Sequence, residues 1–315
     1  MAPPHGPSED AVLAWLLGIE EPAMRYLASR DLVRPRPSDA RLVRLRAHVP
    51  TSGWAAAILR RQRERTWWAT KRTCYTPKFR STIWQLQVLA DLGLTRRDER
   101  IANAAGFWFD LHYDPRRGGY SPGPRTSAGH RSHLCTTGNM ARSLIRLGYL
   151  GDERVTSAIE WLVDEQLPDG GWDCFGRTAG TLDAWEAMSA LAEVPPRRRS
   201  SDVRRAIERG AEFFLERRLL REGRPFPRWR WLRYPWHYFY GVLVGLDFLT
   251  ALGYGRDPRM GEALDVLASK RLPDGRWALD PVNGDLRLEV VGRPSKMITF
   301  LALRVGRQVA SVRQP

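Results

Sequence analysis

The chain has 315 residues, a formal net charge of +15 and a mean hydropathy of −0.42. With 43% hydrophobic and 10% aromatic residues it has the composition of a folded protein, which excludes a disordered chain. No apolar run reaches the roughly 20 residues of a membrane-spanning helix. Its three scattered cysteines exclude a disulfide framework, and the N-terminus has no secretory pattern, so we expect a cytoplasmic protein.

Arginine carries almost all of the positive charge, since only four of the 50 basic residues are lysines. A basic protein gains affinity for nucleic acid by neutralising phosphates, so that partner is one interpretation. The arginines are scattered along the chain, and scattered charge is more typical of a solvated face. A small anionic substrate needs fewer cations, placed locally, and that interpretation stays open.

Helical patterns alternate with turns along the whole chain. Two N-terminal stretches, 10–32 and 38–48, come first. Apolar residues then recur with a helical period in 56–63, 81–92, 101–111, 136–147, 158–165, 181–194, 206–219, 236–252, 261–270 and 295–309. Several of these segments open at Ser or Thr, and three close at Leu-Gly, as helix caps do. No strand pattern of useful length interrupts them, so we predict an all-α protein.

One sequence motif recurs between these helical segments. Gln-Leu-Pro-Asp-Gly-Gly-Trp at 166–172 returns as Arg-Leu-Pro-Asp-Gly-Arg-Trp at 271–277, and weaker copies end at Trp68, Tyr120 and Phe226. The terminal aromatic residues lie 51 to 54 positions apart, and such fixed spacing is typical of stacked supersecondary units. Pro-Asp-Gly is turn chemistry, so each repeat predicts a helical hairpin.

The two strong copies resemble the Gln-Trp-type repeats of squalene/hopene cyclases and the related repeats of protein prenyltransferase β subunits. In general outline, including RWLRYPWHYFYGVLVGLDFL at 230–249, the chain is most similar to small bacterial squalene-cyclase-like proteins. This resemblance covers most of the chain from about residue 53 onward and implies a closed (α/α)6 toroid. We therefore predict a single domain over 1–315, in which residues 1–50 complete a ring of about five hairpins formed by 51–315. An open superhelix is the alternative.

In such a ring the inner helices run parallel, so their N-termini gather at one end. Unpaired N–H groups and aligned dipoles make that end favourable for anions. The segments that lead into it are rich in reactive side chains and include all three cysteines. We expect a central cavity there, in which Arg177, Arg230 and Arg293 hold an anionic group.

Aromatic residues lie on or just before the predicted inner helices. If they face the cavity, their π faces stabilise a cationic or isoprenoid group by about 0.5–2 kcal/mol per contact. A packed core is an equally weighted alternative. The candidates for substrate binding are Trp84, Trp185, Trp231, Trp236, Tyr238 and Tyr240. Trp172 and Trp277, in the repeat motif itself, are predicted to be structural wedges.

Squalene/hopene cyclases protonate an alkene with an Asp-x-Asp-Asp motif at an inner-helix N-terminus, and this sequence has no such motif. Asp183 is the nearest candidate for that acid, and Glu186, three residues on, is expected to share its face. A buried carboxyl with a raised pKa can act as a general acid, whereas a helix cap is the alternative role. His237 and Cys174 are the further catalytic candidates.

The resemblance also raises the question of zinc, which prenyltransferases bind through Asp, Cys and His. Here Cys135, Cys174 and His237 could converge and leave a fourth position open, with Asp173 or His133 as a replacement for one of them. A satisfied histidine and two buried thiols are the alternative, and the leading prediction has no cofactor.

The function we predict is that of a terpene-cyclase or prenyl-transfer enzyme. Its substrate would be a hydrophobic, anionic small molecule, converted by acid-initiated cyclisation or prenyl transfer. Two alternatives stay open: a zinc enzyme, and a non-catalytic module that binds a lipid-like ligand or nucleic acid.

Overall fold

α-Helices provide the regular structure of this protein. The computed structural model describes residues 9–223, 226–282 and 287–311, so the outermost residues of the predicted domain lie outside the described ranges. Thirteen α-helices occur within those ranges, together with short 3-10 segments and isolated bridges. They are α1 (Glu9–Leu16), α2 (Pro22–Asp31), α3 (Asp39–His48), α4 (Gly53–Leu59), α5 (Thr82–Asp91), α6 (Glu99–His112), α7 (Leu134–Leu147), α8 (Glu153–Asp164), α9 (Trp185–Glu193), α10 (Ser201–Glu216), α11 (Val242–Ala251), α12 (Gly261–Ser269) and α13 (Lys296–Ser311).

Six of these helices form a closed inner ring. Around it α5 packs on α7, α7 on α9, α9 on α11, α11 on α13, and α13 packs back onto α2. α5 approaches α2 through Gly93, which follows α5 and has a φ of +92°. A side chain at this position would place its Cβ 2.6 Å from the Tyr26 ring, so only glycine allows the two helices to come this close. Nearly every residue of α5 and α11 is buried. The ring is therefore closed, and the predicted (α/α)6 toroid is confirmed.

The other helices form an outer layer around this ring. α6 packs on α5, α8 on α7, α10 on α9 and α12 on α11. α10 is amphipathic, with Val203, Ala206 and Ile207 buried while Asp202 and Arg204 are exposed. Such a helix is stabilised mainly by burying its apolar stripe against the ring. None of the helices within the described ranges is long and apolar enough to cross a bilayer.

The repeat motif makes the same contact in three hairpins. The indole N–H groups of Trp68, Trp172 and Trp277 each donate to the backbone carbonyl oxygen ten residues earlier, at 2.9, 2.7 and 2.7 Å. All three indoles are buried. Each one ties the turn to the end of the preceding outer helix, which agrees with the structural role predicted for Trp172 and Trp277.

Two of the predicted helices show the largest differences from the observed ones. The stretch 10–32 is divided, because Pro22 begins a new helix that is capped by Glu21. The predicted helix 236–252 begins only at Val242, and residues 231–241 are irregular. The apolar residues of that segment pack inside the ring without forming a helix. Their spacing in the sequence resembles a helical period, so the sequence pattern does not distinguish the two cases.

Candidate functional site

A cavity of about 1280 Å³ opens at one end of the ring. It lies where the inner helices end, since each of them contributes residues from its C-terminal part. The lining includes Arg30 and Asp31 of α2, Asp91 of α5, Arg142 and Arg146 of α7, Glu193 of α9, Asp247 and Phe248 of α11, and Phe300, Leu301 and Arg304 of α13. A cavity inside the ring was predicted, but its location at the beginning of the inner helices was wrong.

Ion pairs join three inner helices along one side of this cavity. Asp91 contacts Arg142 at 3.0 Å and Arg146 at 2.6 Å, and Arg146 also pairs with Glu193. Burial by itself would raise the pKa of Glu193, but the charge of Arg146 outweighs it and holds that pKa below its usual value. The carboxylate is therefore ionised near neutral pH and is a poor proton donor.

A second group of ion pairs closes the opposite side, between α11, α13 and α2. Arg304 contacts Asp247 at 2.5 Å and Asp31 at 3.4 Å. Burial would raise the pKa of Asp31, yet its hydrogen bonds to Arg30 hold that pKa below the usual value. The C-terminal ends of parallel helices carry partial negative charge, which arginines at these positions offset.

Tyr234 and Trp236 form the floor of the cavity. They belong to the irregular segment before α11, which enters the ring from the opposite end. The Tyr234 hydroxyl donates to Oδ2 of Asp91 at 3.2 Å, and the Arg142 guanidinium lies 5.4 Å from the centroid of the Trp236 ring. Trp236 therefore lines the cavity, with its π face toward a cation, and its role in substrate binding stays a prediction.

The end of the ring where the inner helices begin is closed by packed aromatic rings. The Trp84 ring lies 5.1 Å from Tyr75, 5.3 Å from Phe79, 5.2 Å from His237 and 5.8 Å from Tyr238. We call this group the aromatic plug. Among the described residues neither nitrogen of the His237 ring has a hydrogen-bond partner, and burial lowers its pKa to about 3. His237 is therefore neutral and packed.

Trp185 lies between the aromatic plug and the cavity floor. Its ring meets Trp236 edge-on, with centroids 6.1 Å apart. Beside them is a void of about 10 Å³ that is also lined by Gln87, Asn139 and His237. Such a volume corresponds to about one water molecule, so the substrate-sized space is confined to the other side of Trp236.

The three arginines predicted to hold an anion lie on the surface. The Arg177 guanidinium lies 5.5 Å from the Phe175 ring, Arg230 pairs with Glu262 at 3.2 Å, and Arg293 is exposed. None of the three belongs to the lining of the described cavity. They are carried by the loops before the inner helices, at the end that the aromatic plug closes.

Two further aromatic candidates pack against the protein outside the cavity. Trp231 is half-buried, with the guanidinium groups of Arg228 and Arg233 at 5.7 and 5.2 Å from its ring centroid. Tyr240 is buried, and its hydroxyl donates to the carbonyl oxygen of Leu219 at 2.9 Å. These contacts correspond to the alternative of a packed core.

The two predicted carboxyls near the start of α9 do not share a face. Leu182–Ala184 form a 3-10 turn before the helix begins, so α-helical spacing does not extend to Asp183. Asp183 is exposed and accepts a hydrogen bond from the indole of Trp229 at 3.1 Å. Glu186 is buried, and burial together with the nearby Cys135 raises its pKa well above the usual value. The role of Asp183 as an acid stays a prediction.

His133, Cys135 and Cys174 come together where the loop that carries Cys174 meets the start of α7. One ligand atom from each lies within 4.8 Å of the others. The two thiols therefore converge, as the zinc alternative requires, and His133 takes the place of His237, which lies in the aromatic plug. A hydrogen bond from Cys174 and the adjacent His133 hold the pKa of Cys135 well below its usual value.

Sequence reasoning missed the charged residues of the cavity wall. They are Asp91, Arg142, Arg146, Glu193, Asp247 and Arg304. A signal was present, because each is a charged residue in the second half of a largely apolar inner helix. Such residues are rarely buried unless they are paired, so their recurrence in successive repeats indicates a shared polar site.

Comparison with solved structures finds proteins that match almost the whole chain. The apo structure of the type II terpene cyclase MstE from Scytonema covers 96% of this chain and 96% of its own, with 15% identity and a TM-score of 0.49. A variant of that enzyme in complex with its substrate, geranylgeranyl dihydroxybenzoate, covers the same shares at 16% identity and a TM-score of 0.49. A polysaccharide lyase covers 92% of this chain and 74% of its own, with 15% identity and a TM-score of 0.30. No protein-family model and no curated protein matches the sequence.

Proposed function

We propose that this protein is a prenyl-transfer or terpene-cyclase-type enzyme that holds a hydrophobic molecule with an anionic head in its central cavity. One observation carries the proposal: the lining joins arginines to aromatic and aliphatic side chains in about 1280 Å³. Ligand pockets typically measure roughly 300–1,000 Å³, so this volume accommodates an extended isoprenoid.

The arginines supply the site for the anionic head. Eight arginines and five carboxylates line the cavity, which leaves an excess of positive charge. Arg34 and Arg46 hydrogen-bond to backbone carbonyl oxygens, at 2.9 Å each, and neither forms an ion pair with a carboxylate among the residues that the structure describes. Guanidinium groups bind phosphate and carboxylate in a bidentate manner, so an anion in the cavity would be held with defined orientation.

The apolar wall suits a hydrocarbon chain. Trp236, Phe248, Phe300, Leu301 and Met297 all line the cavity. Aromatic faces next to a carbocation stabilise it by about 0.5–2 kcal/mol each. The same surface therefore serves both the neutral chain and a cationic intermediate.

The charge state of the wall favours ionisation of a prenyl diphosphate over protonation of an alkene. The carboxylates of the wall are paired with arginine, and the pKa of Glu193 is held low, so a proton donor is missing from this part of the described lining. When the C–O bond of a prenyl diphosphate breaks, the leaving diphosphate takes the electron pair. Arginines stabilise its growing charge, and the aromatic wall faces the allylic cation. Acid-initiated cyclisation through Asp183 remains the alternative reaction, although that carboxylate lies outside the lining.

Calorimetric titration with farnesyl diphosphate and farnesol tests the proposal, because the two probes differ only in the head group. We expect the diphosphate to bind at least about tenfold more tightly at low salt. Arg46→Gln is expected to weaken diphosphate binding about tenfold. No carboxylate within the described ranges pairs with Arg46, so the substitution leaves none of these carboxylates unpaired. Arg230→Gln, on the surface outside the cavity, is the matched control. Equal binding of the two probes, or no binding of either, contradicts the proposal.

A further inference from the structure

A cluster of nitrogen and sulfur ligands lies at the opposite end of the ring from the cavity. One ring nitrogen of His133 and the sulfur atoms of Cys135 and Cys174 all lie within 4.8 Å of one another. Nδ1 of His133 is 3.3 Å from Sγ of Cys135. Tetrahedral zinc, with Zn–S near 2.3 Å and Zn–N near 2.0–2.1 Å, places neighbouring ligand atoms roughly 3.6 Å apart. The three atoms are therefore close to the spacing that zinc requires.

The repeat architecture fixes one side of this cluster. His133 is the N-cap of α7, and its backbone N–H donates at 2.9 Å to the carbonyl oxygen of Tyr120, the residue that ends its repeat motif. Asp114 holds the preceding loop by accepting a hydrogen bond from the backbone of Ser132 at 2.9 Å. Cys135 follows in the first turn of α7. His133 and Cys135 are therefore both held at the N-terminus of α7, where hydrogen bonds fix the backbone.

The next repeat places the third ligand. Cys174 lies in the loop after the motif, where the Asp173 carboxylate accepts hydrogen bonds from the N–H groups of Phe175 at 2.6 Å and Arg177 at 2.8 Å. Asp169 of the motif accepts another from the end of this loop at 2.9 Å. The loop is tied at both sides of the cysteine, which positions its sulfur against α7.

Glu186 is an independent sign that a cation belongs here. Its side chain is 1% exposed, and in the described part of the chain neither of its carboxylate oxygens has a hydrogen-bond partner. It interacts electrostatically with both Cys135 and Cys174. A buried carboxyl group without a hydrogen-bond partner is unfavourable, and negative charge on the adjacent Cys135 makes its ionisation more so. A divalent cation on the thiols would compensate all three groups.

We propose that His133, Cys135 and Cys174 bind Zn²⁺ and leave its fourth position open to water or to a thiolate, with Glu186 beside it. Thiolate and imidazole ligands favour zinc over magnesium and calcium, which prefer oxygen. Three protein ligands and one open position are typical of a catalytic rather than a structural zinc. All three ligands are only half-buried, so the ion is accessible from solvent.

Metal analysis of the full-length protein tests this proposal independently of any activity in the cavity. After purification without chelators we expect about one zinc per chain by mass spectrometry. Cobalt(II) in place of zinc is expected to show a thiolate-to-metal charge-transfer band. Cys135→Ser and Cys174→Ser should each lower metal affinity at least about tenfold and weaken that band. Cys74→Ser, which changes the third, buried cysteine outside the cluster, should leave both readouts unchanged.

Two results would overturn the zinc site. One is less than about 0.1 zinc per chain together with no cobalt band in the unmodified protein. The other is unchanged zinc content in the Cys174→Ser variant. Because Cys174 lies in a loop, we expect this variant to fold, and circular dichroism checks that it does.

Discussion

The two ends of the toroid are built from the same six inner helices and yet differ in almost every respect. Where the helices end, a cavity of about 1280 Å³ is lined by ion pairs. Where they begin, aromatic rings are packed together and a histidine and two cysteines converge. The difference follows from the connections. The link after α7 is short, 148–152, whereas the link before α9, 165–184, is long enough to fold over the ring. Connection length therefore decides which end is open.

Electrostatics accounts for the second difference between the ends. The helix dipoles alone predict an anion site where the inner helices begin. The structure instead places Arg142, Arg146 and Arg304 near the opposite, negative helix ends, where they offset the dipoles and pair with carboxylates. Side-chain charges outweigh the half-charges of helix ends, so the cationic surface lies where the arginines are. Four predictions test this contrast.

Trp84→Ala should have the largest effect, because it removes the centre of the aromatic plug. Trp84 is fully buried, and its indole N–H also donates to the carbonyl oxygen of Tyr75 at 2.8 Å. We expect the free energy of unfolding, measured in urea, to fall by about 3–5 kcal/mol. Trp231→Ala, at a half-buried tryptophan, is the matched control and should cost less. Equal losses in the two variants would contradict a packed plug.

Asp91→Ala should be the next most damaging change, at the open end. It leaves Arg142 and Arg146 without their shared carboxylate and removes the acceptor of Tyr234. Breaking a buried pair on one side typically costs about 3 kcal/mol or more, measured by urea unfolding. Asp202→Ala, which breaks an exposed pair with Arg205, should change stability by less than about 1 kcal/mol. A loss that small in Asp91→Ala would mean that the ion pairs of the cavity are screened by water.

Acid should destabilise the closed end through His112. Its ring is stacked on Trp108, accepts a hydrogen bond from the Cys74 N–H at 2.9 Å, and burial lowers its pKa to about 4. The unfolded chain therefore binds a proton below about pH 6.5 that the folded chain excludes, so stability is lost as the pH falls from 6.5 toward 4.

His112→Gln should remove about 2 kcal/mol of that pH dependence, as followed by urea unfolding at pH 7 and pH 4.5. His237, with its pKa lowered to about 3, contributes in the same direction and remains in the variant. Identical pH dependence in the two proteins would show that His112 becomes charged without unfolding.

Asp183→Asn should have the smallest effect on stability. The carboxylate is exposed, and its hydrogen bond to the Trp229 indole at 3.1 Å can be accepted equally by an amide oxygen. We expect the free energy of unfolding to change by less than about 0.5 kcal/mol. The same variant tests the acid-initiated reaction, because a stable protein with unchanged turnover would remove Asp183 from that role.

The fold could be predicted from the repeats in the sequence, whereas the candidate site could be predicted only in part. The regular spacing of Trp68, Trp172 and Trp277 predicts stacked hairpins. The structure gives the reason, because each indole N–H donates to a carbonyl oxygen only ten residues earlier, within its own repeat. Convergence of Cys135 and Cys174 was only one of two alternatives that the sequence left open, and the structure brings them together. The zinc alternative placed His237 beside them, with His133 as a replacement, and in the structure the segment of His237 turns into the ring and His133 takes that position. No local pattern distinguishes those two paths.

The sequence by itself determined that helices pair and that the pairs repeat with reactive loops between them, because these features depend on contacts within one repeat. That the hairpins close into a ring was implied only by the resemblance, and the contact of α13 with α2 decided it. Only the tertiary structure decided which end stays open, and that Asp183 faces solvent while Glu186 is buried against Cys135. It also decided that Asp91 of α5 is shared by two arginines of α7. These outcomes depend on contacts between repeats, whose geometry is set by how whole hairpins pack around a common axis.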